Sequence, residues 1–309
     1  MGEQTILQHA TTSRGNGGNR GRHVKVFGVD ARDEEGSGVM KIGLQLRLIP
    51  GSTVGDKLRW AADHGVEGIE INARDYDPAD LSEARRTFEK SPVPVVSICG
   101  NTSFDFLDPD PAKRRASVEA SKAFLKLAGD LGAVGQIVPP IFGPPRIPDL
   151  SPYMNAINLE KELLVRLCDD LGRHAQSCGT LFLLEPLNRY EQHLLRRQED
   201  GVEIIERTGN PGVALISDFF HMHIEETNTP ATIRRVGKHI AHVHLADNTR
   251  MEPGTGDIDF TAGFAALAEV GFKGYMVYEC QISGEDKAAP LVRSLDYVRR
   301  CIAEAKARV

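Results

Sequence analysis

Eight times between Met40 and Val309 a short apolar run is followed by a longer amphipathic one, and this alternation restricts the fold more than any other feature of the chain. The apolar runs do not alternate polar with apolar residues, as a strand with one wet face would. Strands of a parallel sheet, covered by helices on both faces, read this way. The expected strands lie at about Lys41–Leu48, Gly68–Asn72, Pro94–Gly100, Val134–Ile141, Leu181–Leu187, Val213–Phe219, Ile240–Ala246 and Tyr275–Glu279. Helices are expected at DKLRWAADHG, ending at Gly65, and near 80–90, 111–131, 157–177, 201–208, 230–237, 260–270 and 288–307. Eight such units predict an α/β fold, a closed parallel eight-stranded (β/α)8 barrel of the TIM-barrel class with an outer ring of helices. The alternative is a doubly wound open sheet, and the lack of a GxGxxG fingerprint after the first strand speaks against it.

Residues 1–39 do not share the pattern. Their SRGNGGNRGRH stretch is polar, rich in Gly and Arg, and without period, which predicts disorder. It contains no apolar core of a secretory signal. Its arginines faintly suggest a transit peptide, but the acidic DARDEEG that follows argues the other way. The expected organisation is a disordered N-terminal extension over 1–39 and a catalytic barrel over 40–309, with Met40 as the initiator or the extension dispensable. The net charge of -6 argues against a broad nucleic-acid surface, and no apolar run reaches the roughly 20 residues of a membrane span. Cys99, Cys168, Cys178, Cys280 and Cys301 are dispersed without CxxC spacing. Reduced thiols and a cytoplasmic location are therefore expected, the cysteines being read as small buried hydrophobes even though Cys99 and Cys280 fall near strand ends.

The chemistry gathers at the ends of the last four strands. In LFLLEPLNRYE an apolar run stops at Glu185, Pro186 breaks it, and Glu191 follows in a polar loop. An acid directly after Leu-Leu is costly to bury unless a metal or a substrate meets it. The sixth strand ends in Asp218, the seventh carries His244, and the eighth ends in Glu279. Barrel strands aim their C-terminal ends at one mouth. Two Glu, one Asp and one His there form a ligand set suited to Mn²⁺, Mg²⁺ or Co²⁺ rather than to structural zinc. His242 lies two residues before His244 on the same face and competes for the imidazole position.

The segments EPLNRYE, DFFHMHIEE, HVHLADNTR and the YE of the last strand resemble the xylose-isomerase-like sugar isomerase/epimerase superfamily, and within it the ketose 3-epimerases acting on D-tagatose or D-psicose. The resemblance implies that Glu185 and Glu279 bind the metal and exchange protons with the sugar, and that Asp218 and His244 complete the coordination. It implies further that Glu191, His221 and Arg250 hydrogen-bond the substrate. One divalent ion, Mn²⁺ foremost and Co²⁺ or Mg²⁺ in its place, is the only cofactor expected. The expected partner is a small sugar; a homo-oligomer, dimer or tetramer, is also expected. The N-terminal half resembles the family only in its strand-helix order.

These residue types make chemical sense for epimerisation beside a ketone. Two carboxylates remove a proton from one face of a carbon and return it to the other, through a cis-enediolate whose charge a divalent ion stabilises. Two rival reactions share the scaffold. A dehydratase of an inosose or dehydro-sugar would use the same enediolate and expel a hydroxyl; a DNA-repair endonuclease would need more metal ligands and a basic groove. Three further features carry weaker signals. The proline-rich Phe142–Pro152 loop has the length of a segment that covers a site. Arg47 and Arg74 near strand ends would suit an acidic or phosphorylated sugar, or simply lie on the surface. PGTGDIDF (Pro253–Phe260) offers backbone amides to a phosphate, or a helix cap in Asp257 or Asp259. Removing residues 1–39 is expected to leave turnover and melting temperature unchanged, and a large loss of either on comparing the two chains contradicts the assignment.

Overall fold

The computed structural model describes residues 40–309, so the extension expected over 1–39 lies outside the described residues. Eight strands, β1 (Lys41–Gln45), β2 (Gly68–Asn72), β3 (Val95–Cys99), β4 (Gly135–Val138), β5 (Leu181–Leu184), β6 (Val213–Asp218), β7 (Ile240–Leu245) and β8 (Tyr275–Tyr278), pair in sequence order. All neighbours are parallel, and β8 pairs back onto β1 to close the barrel. Around it run α1 (Val54–Asp63), α2 (Ser82–Phe88), α3 (Pro111–Asp130), α4 (Ala156–Ser177), α5 (Gln198–Thr208), α6 (Phe219–Glu225), α7 (Thr229–Val236), α8 (Phe260–Glu269) and α9 (Ala288–Lys306). The fold is the expected TIM barrel. Among the described residues no helix is long and apolar enough to cross a membrane.

Several strands end earlier than their apolar runs. After Gln45 the chain turns into a 3-10 helix, Leu46–Leu48, and β4 stops at Val138. The ladder of β5 ends at Leu184 because Pro186 has no N–H to offer. The helix α6 is an addition to the expected elements. Asp218, the last residue of β6, is also its N-cap: Oδ1 accepts from the amide of Phe220 at 2.7 Å.

Two apolar regions hold the described residues together. The larger lies between the outward faces of the strands and the helices, with Phe106, Phe124, Phe182, Phe219, Phe260 and Phe264 fully buried in it. The smaller, Ile137, Leu183 and Ile216, fills the barrel itself. Along a strand every second residue shares a face. Glu185 therefore continues the line of Leu183, and Asp218 that of Ile216, from the apolar plug toward the C-terminal mouth. Gly135 is required by the tight approach of β4 to β5, since a Cβ there would sit 2.1 Å from the carbonyl oxygen of Leu181.

The proline-rich loop after β4 is tied down rather than free. Glu160 of α4, fully buried, accepts from the amide of Arg146 at 3.0 Å and from Nε2 of His193 at 2.5 Å. The other nitrogen of His193 lies 2.7 Å from the carbonyl of Gly143, and the Gly143 amide donates to the carbonyl of Glu191 at 2.8 Å. Both His193 nitrogens face acceptors, an arrangement that favours the doubly protonated ring. Burial alone would lower its pKa, but Glu160 and the Gly143 carbonyl outweigh that and raise it above its ordinary 6.5. A raised histidine stabilises the fold fully below its unfolded value and loses that contribution as pH climbs through the folded value. The melting-temperature gap between wild type and His193→Gln is expected to be widest near about pH 6 and to shrink toward about pH 9; a gap constant over that range contradicts the charged pair.

Candidate active site and metal centre

At the mouth of the barrel four side chains from adjacent strands meet. Ligand atoms of Glu185, Asp218, His244 and Glu279 all lie within 4.8 Å of one another. Nδ1 of His244 is the centre of the group, 3.3 Å from Glu185 Oε1, 3.2 Å from Glu279 Oε2 and 4.0 Å from Asp218 Oδ2. Register explains the meeting: Asp218 pairs with His244 across β6 and β7, and His244 with Val277, two residues before Glu279.

The two β7 histidines differ in depth. His242 lies below, its Nε2 3.4 Å from Glu70 Oε2 and 3.4 Å from Ser97 Oγ. Only His244 reaches the carboxylates of the mouth. Its Nε2 points down to Glu70 Oε2 at 3.0 Å, which turns Nδ1 upward. Glu70 has no counterpart in the sequence-based site. Its one signal was an acid inside the apolar GIEIN strand.

The group fits a divalent cation on its own geometry. Glu185 Oε1 and His244 Nδ1 are buried without a hydrogen-bond partner among the described residues, and buried polar atoms are seldom left so. Asp218 is fully buried and Glu185 nearly so, and burying an ion costs several kcal/mol without compensation. Arg250 answers part of this charge. It donates to Asp218 Oδ2 at 2.7 Å and to Glu279 Oε2, and its guanidinium lies 4.6 Å from the Phe220 ring centre. One guanidinium against three carboxylates leaves an excess of negative charge focused on His244, and the oxygen-rich donor set suits a hard or borderline ion.

The same field shows in the titration of each group. Burial pushes the Glu185 carboxyl up to about 7, with His244 opposing and the Glu279 charge adding to the rise. Burial would also raise Glu279, but His244 and Arg250 outweigh it and hold that carboxyl well below the usual range. For His244 burial disfavours the proton, yet Glu70 and Glu279 outweigh burial and raise its pKa well above normal.

The three residues expected around the substrate also line this mouth, together with Asn72, Arg74, Cys99, Phe104 and Phe142. His221 receives Asn188 N at 3.2 Å and Asn188 Nδ2 at 2.8 Å on its Nδ1, so its free proton is on Nε2, 3.7 Å from Asp218 Oδ2. Burial lowers its pKa, against the pull of Asp218. The same Asn188 amide donates to Glu191 Oε1 at 2.9 Å, fixing that acid at the rim. Arg250 sits in the left-handed region at φ 62°, rare for a non-glycine and a strain of about 1–3 kcal/mol. It is held there by its amide on the Asp247 carbonyl and by the Gln281 amide on its own carbonyl, each at 2.8 Å.

The weaker sequence signals separate cleanly. Arg74 reaches the mouth, lying over Phe104 at 5.2 Å. Arg47 instead donates to Gln45 Oε1 at 2.7 Å and does not line the mouth. Cys99 is buried as expected, but its thiol is also 3.5 Å from Glu279 Oε1. Three of the PGTGDIDF amides are taken by a carboxylate: Asp247 accepts from Gly254 N, Thr255 N and Ile258 N at 2.9, 3.1 and 3.2 Å. A Cβ on Gly256 would lie 2.4 Å from Asp247 Oδ1, so the loop closes around this carboxylate. Asp259 caps α8 through Ala262 N at 2.9 Å, whereas Asp257 does not.

The chain's similarity to known proteins agrees with this geometry. The family described as xylose isomerase-like TIM barrel matches residues 58–301. The chain is 30% identical over 264 residues to a 3-dehydro-D-guloside 4-epimerase of Escherichia coli (strain K12), covering 85% of this chain and 100% of the relative. It is 34% identical over 115 residues to a D-psicose 3-epimerase of Enterocloster bolteae, covering 37% of this chain and 38% of that one. The crystal structure of an apo 3-keto-D-glucoside 4-epimerase from Escherichia coli superposes with a TM-score of 0.75 at 29% identity, over 85% of this chain and all of that one. With its eight parallel strands closed into a ring and its acidic mouth, the chain belongs to the xylose isomerase-like TIM-barrel family.

Proposed function

We propose that this protein is a divalent-metal-dependent epimerase that inverts a carbon next to the ketone of a keto sugar. The observation that carries the reading is the buried group around His244, with two ligand atoms unpartnered and three carboxylates converging. The names of the relatives support the same chemistry. A 3-keto sugar epimerised at C4 and a 2-ketose epimerised at C3 both change the carbon beside a carbonyl. Because the relatives are epimerases, the dehydratase reading is set aside. An endonuclease finds no support in a net charge of -6.

In this reading Glu185, Asp218, His244 and Glu279 hold one ion, Mn²⁺ before Co²⁺ or Mg²⁺. When bound, the ion supplies Lewis-acid charge to the substrate's carbonyl and neighbouring hydroxyl oxygens. The protein does the rest. One of the two glutamates takes the proton from the carbon beside the carbonyl, giving a cis-enediolate. The other returns a proton to the opposite face, so the reaction is redox-neutral and the two carboxyls exchange protonation states. Burial favours the proton on Glu185, while His244 and Arg250 disfavour it on Glu279, so the two carboxyls differ in proton affinity before any ion is bound. Arg250, His221 and Glu191 hold the substrate oxygens and thereby orient the reacting carbon. Phe104 and Phe142, edge to face with centroids 4.8 Å apart, shield the rim from water.

Two outcomes test the reading. At saturating Mn²⁺, Glu185→Gln and Glu279→Gln should each lower kcat by about 100- to 10,000-fold, since each removes a proton carrier; near-normal turnover in both rules out the two-glutamate scheme. Enzyme stripped by a chelator and reloaded with Mn²⁺ should epimerise a member of a panel of ketohexoses, 3-keto glycosides, ketose phosphates and inososes in D₂O. Deuterium should appear at the carbon beside the carbonyl with no loss of water. Undiminished exchange by the stripped enzyme refutes the metal requirement.

A further inference from the structure

Beneath the mouth lies a buried polar layer that the proposed chemistry does not use. Gln45, Glu70 and Ser97 stand in register on β1, β2 and β3. Glu70 is almost wholly inaccessible. Its Oε1 accepts from Gln45 Nε2 at 2.8 Å, and its Oε2 from Ser97 Oγ at 2.6 Å and from His244 Nε2 at 3.0 Å. The contact from β2 to β7 crosses the barrel interior, because the two strands are not neighbours. Gln45 is itself oriented: Arg47 Nε occupies its carbonyl oxygen, so the amide nitrogen faces inward and donates to Glu279 Oε1 at 3.1 Å as well as to Glu70.

We infer that Glu70 is the positioning residue of the metal centre: it fixes the ligating nitrogen of His244 directly and orients Glu279 through Gln45. The inference rests on the metal reading of the preceding subsection. A neutral imidazole carries one proton. With Nε2–H committed to the Glu70 carboxylate, the Nδ1 lone pair faces Glu185, Asp218 and Glu279. A full negative charge behind the ring also makes Nδ1 a stronger donor, as a carboxylate behind a ligating histidine does elsewhere. Glu70 accepts from a hydroxyl, an amide and an imidazole, with the His242 ring 3.4 Å away and, among the described residues, no arginine or lysine as a hydrogen-bond partner. A cation bound on the far side of the ring would therefore add to what stabilises its charge. A layer built only to fill the barrel would need no acid at this position.

The test reads metal binding rather than turnover. Calorimetric titration of Mn²⁺ into the stripped protein should show one site per chain, and Glu70→Gln, which keeps size and an acceptor but removes the charge, should weaken its Kd by about 10- to 100-fold. An unchanged Kd overturns the inference. So does a wild-type stoichiometry of two that falls to one in the variant, because Glu70, His242 and His244 would then be ligands of a second ion. If wild type binds no Mn²⁺, the metal reading itself fails, and that result is distinct from either of the others. A second measurement does not depend on the variant folding. In ¹⁵N spectra of histidine-labelled wild type loaded with Zn²⁺ as a diamagnetic probe, the ring that shifts should coordinate through Nδ1 and keep its proton on Nε2; coordination through Nε2 overturns the inference.

Discussion

Negative charge buried at one end of the barrel is the constraint to which the rest of the site answers. Glu185, Asp218 and Glu279 bring three carboxylates to one imidazole nitrogen, and Glu70 adds a fourth beneath the ring. In a low-dielectric interior such a group is stable only with compensating positive charge. Arg250 supplies one unit, held at the mouth by a backbone conformation that few side chains other than glycine adopt. The unpartnered Glu185 oxygen and His244 nitrogen mark where the compensation stops short.

The barrel makes this concentration of charge possible by separating apolar from polar layers along its axis. Ile137, Leu183 and Ile216 plug the interior. Next come Glu70, Ser97 and His242, within 3.4 Å of one another through polar atoms, and then the carboxylates of the mouth. Each layer draws on several strands, so the parallel register that closes the barrel also sets the spacing of the ligands. A slip of one residue in β5 or β6 would turn Glu185 or Asp218 toward the helices, where a charge has no partner.

Loops around the mouth are fixed by buried acids that take no part in the proposed chemistry. Asp247 gathers three amides of the β7–α8 loop. Glu252 accepts from both the amide and the hydroxyl of Ser283, tying that loop to the one after β8. Glu160 does the same for the segment that carries Phe142. Such ties order the positions of Arg250, Glu191 and Phe142 before any substrate arrives, which reduces the entropy lost on binding.

Periodicity and apolar runs were enough to read eight parallel units and a barrel, because burial on both faces leaves a mark in every strand. The acids that end β5, β6 and β8 were legible for a related reason: a charge directly after an apolar run stands out. Strand ends at Gln45 and Leu184 and the helix Phe219–Glu225 were not, since they depend on where ladder hydrogen bonds stop and on a cap supplied by Asp218. The chain order alone thus determined the class of fold and the three candidate acids, with one imidazole to be drawn from two neighbouring histidines. Only the folded barrel set His242 and His244 at different depths, occupied three of the glycine-loop amides with Asp247, and put Glu70 behind the ring. Those outcomes rest on contacts between strands and loops far apart in sequence, and hydrogen-bond direction across a barrel leaves no local pattern in the residues that make it.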